Sequence, residues 1–315
     1  MLGDVRLHAV GRRRWRPGTY RDLSHEAAFG WQAFAHGLRN RYDVWHATSV
    51  SDAAAAIRLA SLRPGMRTVF TDHGFPARRS RDRRPDKRQF DRVVKSVDSY
   101  ICVSQPAADY LKSDYGRNAT VIAPGVDVDR FAVGTVRETR PTILYAGSLT
   151  ESRKNVDLLL AAADVLLAAR PDAQLWLLGQ GDSAPLLGAA TPRVRAAVTA
   201  VGALEPDQLA DRYQRAWVTV LPSDAEVFGM VLTESLACGT PGVALDDGLG
   251  PSTILDRSTG RLAQRSPEGL AAALDEALDL AQSADVRTAC RSRAEQFDWR
   301  RVIVPAIESV YLGAA

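Results

Sequence analysis

Residues 217–245, WVTVLPSDAEVFGMVLTESLACGTPGVAL, limit the fold of this chain more than any other stretch. Residues 218–221 are a short, apolar, β-branched run, ended by Pro222 and Ser223. From 228 to 238 the apolar residues Met230, Val231, Leu232 and Leu236 recur closer to helical than to two-residue spacing. Gly239 stands where a helix ends in a left-handed turn, and Pro241 follows as a stop. Residues 243–245 then read as the next buried parallel strand. Strand, loop, helix, turn and strand in that order predict an α/β domain.

The polar residues of this stretch point to a ligand. Glu226 precedes the predicted helix, and Glu234 follows after seven intervening residues. The amides around 228–231 form the helix N-terminus, where unpaired N–H groups and the helix dipole favour an anion. A phosphate there has a carboxylate on either side, and carboxylates accept hydrogen bonds from hydroxyls. The arrangement suits a molecule with hydroxyls at both ends and phosphate between them, which is the shape of a nucleotide sugar. Either glutamate alone reads as an ordinary surface residue; the whole pattern E-V-F-G-M-V-L-T-E-S-L-A-C-G-T-P reads as a site.

That pattern resembles the donor motif of the group-1 (family 4) retaining glycosyltransferases, enzymes of the GT-B fold. The resemblance implies two Rossmann-like, doubly wound α/β domains facing across a cleft. It implies metal-independent transfer of a sugar, with retention, from a nucleoside diphosphate sugar to an acceptor hydroxyl, with no cofactor. Glu226 becomes the contact to the transferred sugar and Glu234 the ribose contact. The backbone of Phe228, Gly229, Met230 and Val231 becomes the phosphate cradle. The family usually has Gly-Arg after the first strand of this domain and a Lys six residues later. Here Gly147 and Lys154 match, Ser148 replaces the Arg, and Arg153 is placed to help. Gly179 and Gly181, after residues 174–178, suggest close backbone approach to the nucleotide, and residues 200–204 pass beside the base as in relatives. His73, at the end of the strand read at 68–71, matches a His beside the donor sugar. By this resemblance His73, Glu226 and Lys154 are the catalytic candidates. His46 reads as structural or acceptor-lining. Asp127 to Asp129 spell a D-V-D, but in a turn that leads out of the first domain, so no metal is expected.

At 315 residues the chain is long enough for two domains. No run approaches the ~20 apolar residues of a membrane helix, and the N-terminus has no apolar leader core. The reading is cytoplasmic, with a peripheral position on the inner membrane face as its extension. Cys102, Cys238 and Cys290 are odd in number and widely spaced, which argues for buried thiols rather than disulfides or zinc. Charge is uneven: residues 1–139 hold 24 basic and 15 acidic side chains, and the remainder 16 and 22. The block from Arg78 to Lys95 concentrates the excess. Such a block is usually a solvated, mobile loop. The sharper alternative is a clamp for an anionic acceptor or a membrane surface. Phe90 is its one aromatic residue, and no nucleic-acid motif surrounds it.

The predicted domains are 1–136, acceptor-side and incomplete; 137–296, donor-binding; and 297–315, a helix crossing back to the first. Residues 5–10 read as a strand, 11–17 as a basic loop, 24–41 as a helix capped by Ser24 with Ala27, Ala28, Trp31, Phe34, Ala35 and Leu38 on its apolar positions, 53–62 as a helix, and 106–113 as a helix capped by Ser104. Residues 134–141 read as a hinge. Relatives open with a strand, a Gly-rich loop, a helix and a second strand before anything like 5–10. The first domain is therefore expected to be truncated: the chain is a fragment, has a mis-assigned start, or closes the gap by self-association. Ser148 and this gap favour an alternative, a nucleotide-sugar-binding protein impaired in transfer. Another GT-B enzyme, such as a sugar-nucleotide epimerase, is the third reading.

Overall fold

The computed structural model describes residues 23–74 and 84–313. The expected strand at 5–10, the loop 11–17 and the start of the basic block lie outside the described residues. The chain divides into two compact units. The first takes Met1–Val103, Ala107–Ile122 and Ile307–Ala315, and the second Ser104–Pro106 and Ala123–Ala306.

The first unit carries four parallel strands, β1 (Val44–Ala47), β2 (Arg67–Asp72), β3 (Ser99–Cys102) and β4 (Thr120–Val121), in the order β1-β2-β3-β4. Helix Leu23–Arg39 runs through Ser24, so that residue lies inside the helix and not ahead of it. Trp31 and Leu38, expected on its apolar face, are exposed. The helix instead buries a face of small residues, Ala33 and Gly37 with half-buried Gly30 and Phe34, toward helix Val50–Ala60. That second helix starts before Ala53 because Ser49 caps it, accepting from the Asp52 amide. Helix Arg84–Ser96 corrects the reading of its residues as a mobile loop. Phe90, Val93 and Val94 are buried, which fixes Lys87, Arg88, Arg92 and Lys95 outward. Helix Gln105–Tyr115 follows Ser104, whose hydroxyl is buried without a partner and so makes no cap bond.

The second unit is a six-stranded parallel sheet. Its strands are β5 (Thr142–Ala146), β6 (Gln174–Leu178), β7 (Val198–Gly202), β8 (Val218–Leu221), β9 (Gly242–Leu245) and β10 (Gly260–Ala263). From one edge the order is β7-β6-β5-β8-β9-β10. Counted from β5 this is 3-2-1-4-5-6, the doubly wound order. The central strands are buried and mostly apolar, as a sheet covered on both faces requires. Ile143, Tyr145, Leu177, Val220 and Val243 pack with helices Val156–Ala169 and Pro267–Leu280 into one core. The chain leaves β5 to one side and returns at β8 on the other, so the strand order reverses between them. The crevice outside the carboxyl ends of β5 and β8 is where a sheet of this kind binds ligands.

The compact units divide at 122/123. Residues 126–134 are tied into the second unit. The Val126 amide donates to Phe297 O at 2.8 Å, Gln214 Nε2 to Ala132 O at 2.9 Å, and Arg291 Nη1 to Val128 O at 2.8 Å. The stretch read as a hinge is fastened as well: the Glu138 amide donates to Arg215 O, and Trp217 Nε1 donates to Glu138 O. At the other end, helix Val304–Leu312 belongs to the first unit from Ile307 onward. All three cysteines are buried free thiols, raised to about 12 chiefly by burial.

Candidate active site at the strand reversal

The loop after β5 and the loop after β8 are stitched together. Residues 152–154 form a single 3₁₀ turn ending at Asn155, which adopts a left-handed conformation (φ 49°). Asn155 is buried and its Nδ2 donates to Pro222 O at 2.9 Å. The Asp224 amide donates to Arg153 O at 2.8 Å. Ala225, at φ 48°, is the other non-glycine residue in the left-handed region among the described residues. Left-handed backbone costs an L-residue about 1–2 kcal/mol. Both strained positions adjoin predicted catalytic residues, Lys154 and Glu226, and such strain gathers at functional sites.

This stitching brings three predicted residues together. Lys154 Nζ lies 3.0 Å and Arg153 Nη1 3.2 Å from the same oxygen, Glu226 Oε2. Arg153 also meets Glu151, Nε to Oε1 at 2.5 Å. Burial pulls the Arg153 guanidinium down, but the Glu226 and Glu151 carboxylates outweigh it and hold it above its ordinary range. Ser148, standing in the place of the family's arginine, folds back on its own loop, with Oγ accepting from the Glu151 amide at 3.3 Å. Arg153 thus stands as a second cation beside Lys154 on Glu226, where Ser148 does not reach.

The loop after β9 backs Glu226. Asp247 Oδ2 accepts from the Ala225 amide at 2.9 Å, and the Gly250 amide donates to Glu226 O at 3.1 Å. A Cβ on Gly250 would lie 2.2 Å from Val227 O, so only glycine admits this approach. Asp247 was not singled out from sequence; the signal was an Asp in a Gly-rich loop after a strand. Gly179 has a similar explanation: a Cβ there would lie 1.8 Å from Gly147 O. Gly179 lets the loops after β5 and β6 touch. Gly181 sits next along, against Leu149 and Thr150.

The helix after Glu226 is Met230–Ala237, two residues shorter at its start than the spacing suggested. The buried Phe228 ring packs edge-on to Phe297 at 5.4 Å, so only its backbone is available to a ligand. Gly229 caps the helix without a side-chain bond, and no acidic residue occupies the first turn. That end retains the amides and dipole that attract an anion. Ser223, just after β8, has a buried hydroxyl with no partner.

Glu234 does not sit on a wet face. It is half-buried and accepts from Tyr213 Oη at 3.0 Å, and burial raises its carboxyl to about 7 against the pull of that hydrogen bond. The small polar residues of the motif are structural. Ser235 Oγ donates to Thr219 Oγ1 and contacts Thr240 O, and Thr240 Oγ1 donates to Tyr213 O at 2.7 Å. Asp127 accepts from the amides of Asp129 and Arg130, which places the D-V-D in a turn.

His73 belongs to the first unit. It is exposed at the end of β2, after Asp72, whose buried carboxylate accepts from Tyr100 Oη at 2.8 Å and the Gly74 amide at 2.9 Å. His46 is structural. Its ring bridges Tyr311 Oη at 2.6 Å and Thr71 Oγ1 at 2.7 Å, and burial, with the nearby His73, lowers its pKa.

Residues 128–297, more than half of the chain, match the model of the family described as Glycosyl transferases group 1, and residues 3–130 match Glycosyltransferase Family 4. The chain is a group 1, family 4 glycosyl transferase. Over 232 residues the transferase is 35% identical to a glycogen synthase of Mycobacterium tuberculosis, covering 70% of this chain and 56% of that one. It is 29% identical over 303 residues to a D-inositol 3-phosphate glycosyltransferase of Paenarthrobacter aurescens, covering 86% and 73%. The chain spans a little over half the length of several curated relatives that it matches. Among solved structures, sucrose-phosphate synthase of Thermosynechococcus elongatus aligns with a TM-score of 0.79 at 23% identity, over 95% of this chain and 81% of that one. Anabaena HepE, solved with UDP and glucose, aligns with a TM-score of 0.73 at 16% identity, over 94% and 83%. These likenesses give the GT-B fold class.

Proposed function

We propose that the protein moves a sugar from a nucleoside diphosphate sugar to an acceptor hydroxyl, with retention and without a metal. The observation that carries this reading is the meeting of Lys154 and Arg153 on Glu226 at the strand reversal, beside an uncapped helix N-terminus. A departing diphosphate gains negative charge, and preorganised cations and amides that stabilise it form the largest single term in such a reaction. Lys154 and Arg153 supply the cations, the backbone of 228–231 the amides, Glu226 the sugar contact and Glu234 the ribose contact. UDP is the first donor nucleotide to try, since HepE and the pneumococcal O-GlcNAc transferase were both solved with it. His73 is assigned by resemblance alone.

The exposed cations of helix Arg84–Ser96 support an anionic acceptor or a membrane surface. No helix of the described residues is long and apolar enough to cross a membrane. A second reading, nucleotide-sugar binding without transfer, draws on Ser148, whose side chain serves only its own loop.

The test incubates the protein with labelled UDP-, GDP- and ADP-sugars and an acceptor panel, with and without EDTA. Product formation unaffected by EDTA, and a product anomer matching the donor, supports the proposal. Nucleotide binding with no product from any pair leaves the second reading standing.

A further inference from the structure

Tyr213 is the one side chain that touches Glu234 through a hydrogen bond among the described residues, and it does so from a place it cannot leave. The residue is fully buried in helix Pro206–Arg215. Its ring packs edge-on to Phe131 at 6.1 Å. Its carbonyl accepts from Thr240 in the turn that ends the Glu234 helix, and Cys238 Sγ contacts Ala210 O one helical turn earlier. The two helices are therefore bonded together on the C-terminal side of Glu234, next to the Tyr213–Glu234 contact.

A buried phenol needs a partner for its O–H. A core position could have used phenylalanine and a wall of apolar side chains. Here the partner is a carboxylate, an acceptor with two oxygens and no donor when ionised. Tyr213 takes Oε2 at 3.0 Å. With Oε2 held, rotation about the last bond of the Glu234 side chain is stopped, and Oε1 keeps a fixed direction.

We infer that Tyr213 is a positioning residue of the nucleotide site, holding Glu234 so that its second oxygen meets the ribose hydroxyls. The inference rests on the donor-site reading above and adds how that site distinguishes a ribose from a sugar lacking its hydroxyls.

The electrostatics agree. Burial favours the neutral acid at Glu234, which becomes half ionised only at about 7, and the Tyr213 hydrogen bond opposes that rise. Cys238, on the same helix, also faces Glu234, and Arg291 in turn faces Cys238, its Nη1 reaching Ala237 O from helix Val286–Glu295. Removing the Tyr213 hydroxyl moves the carboxyl further up, so less of it is ionised at neutral pH. The ribose contact then weakens at pH 7 and returns as pH rises.

The experiment measures binding of the nucleoside diphosphate that the wild type prefers among UDP, GDP and ADP, and of its 2′,3′-dideoxy counterpart, from pH 6 to pH 9. The ratio of the two affinities cancels the ionisation of the phosphates. Tyr213→Phe keeps the ring and loses the hydroxyl. In the wild type the ribose form binds more tightly, with a ratio that grows through pH 7. In Tyr213→Phe that ratio falls roughly ten-fold at pH 7, the size of one hydrogen bond to a charged acceptor, and its rise moves to higher pH. In Glu234→Gln the ratio is flat with pH, and adding Tyr213→Phe changes nothing more. An equal loss for both ligands at every pH, or the same Tyr213→Phe effect in the Glu234→Gln background, overturns the positioning role alone. Failure of Tyr213→Phe to fold also overturns it, by making the hydroxyl a support of the core. If the wild type binds none of the three diphosphates, the donor-site reading falls and this inference with it.

Discussion

The two sheets are both parallel, yet one reverses its strand order and the other, over its described strands, runs in a single direction. The reversal between β5 and β8 opens a crevice, and that crevice is held by groups an anionic ligand can replace. Lys154 and Arg153 meet Glu226 there, and at the effective dielectric near a protein surface such a pair is worth about 4 kcal/mol before desolvation. The end of β2 is held differently. Thr71 is bonded to His46, and Asp72 to Tyr100 and the Gly74 amide. Those bonds lie in the buried and half-buried end of β2. On the proposed reading the second unit exchanges charge with its ligand, whereas the end of β2 is held by hydrogen bonds within the first unit.

The largest effects test the exchangeable side. Lys154→Ala and Glu226→Ala should each lower turnover by about 10²-fold or more, the usual loss for a group that stabilises charge in the transition state. Nucleotide affinity and kcat separate the two: Lys154→Ala should weaken both, Glu226→Ala chiefly kcat. Full activity in either variant would break the assignment of the crevice as the site.

Next is the rigid side. Asp72→Ala leaves a buried tyrosine hydroxyl and an amide without their charged acceptor, and should cost about 3 kcal/mol in urea denaturation. Asp224→Ala, which removes an exposed pair with Arg265 in the second unit, should cost under about 1 kcal/mol. Comparable losses at the two positions would erase the contrast between buried support and exchangeable charge.

Much of this was legible in the chain, and unevenly. Apolar runs and the Gly239–Pro241 stop located β8, β9 and the helix between them, because local periodicity decides them. Glu226, Glu234 and Lys154 were visible because the motif spacing is local or nearly so. What joins them was not. Tyr213 reads as one more aromatic on an amphipathic helix, and nothing in its neighbourhood names a carboxylate 21 residues away. Asn155 is of a residue type that tolerates a left-handed backbone, but Ala225 carries no sequence mark of one. Trp31 and Leu38 were misplaced because periodicity rewards large apolar residues. The helix instead packs through Gly30, Ala33 and Gly37, where close approach of two backbones outweighs side-chain size.

A smaller effect concerns pH. Burial lowers the His46 pKa, so below about 6.5 the unfolded chain binds a proton that the folded one resists. Stability contributed by neutral His46 is present above that pH and is lost as pH falls through it. The urea midpoint of the wild type should therefore drop more between pH 7.5 and pH 5.5 than that of His46→Gln, which keeps a donor and an acceptor but does not titrate. Equal drops would mean that the Tyr311–His46–Thr71 bridge tolerates the imidazolium.

The smallest effect bears most directly on how the crevice is built. Ala225 at φ 48° carries a strain of about 1–2 kcal/mol that glycine would not. Glycine also gives the unfolded chain more freedom, worth roughly 0.4–1 kcal/mol against folding. Ala225→Gly should then raise stability by less than about 1 kcal/mol, seen as a small upward shift of the urea midpoint. The same change frees the backbone beside Glu226, which the Ala225 amide ties to Asp247. If the strain serves to aim Glu226 at its two cations, turnover falls a few-fold while stability rises. If both rise, or both stay level, the conformation is a by-product of the turn, and the aim of Glu226 comes from Lys154 and Arg153 alone.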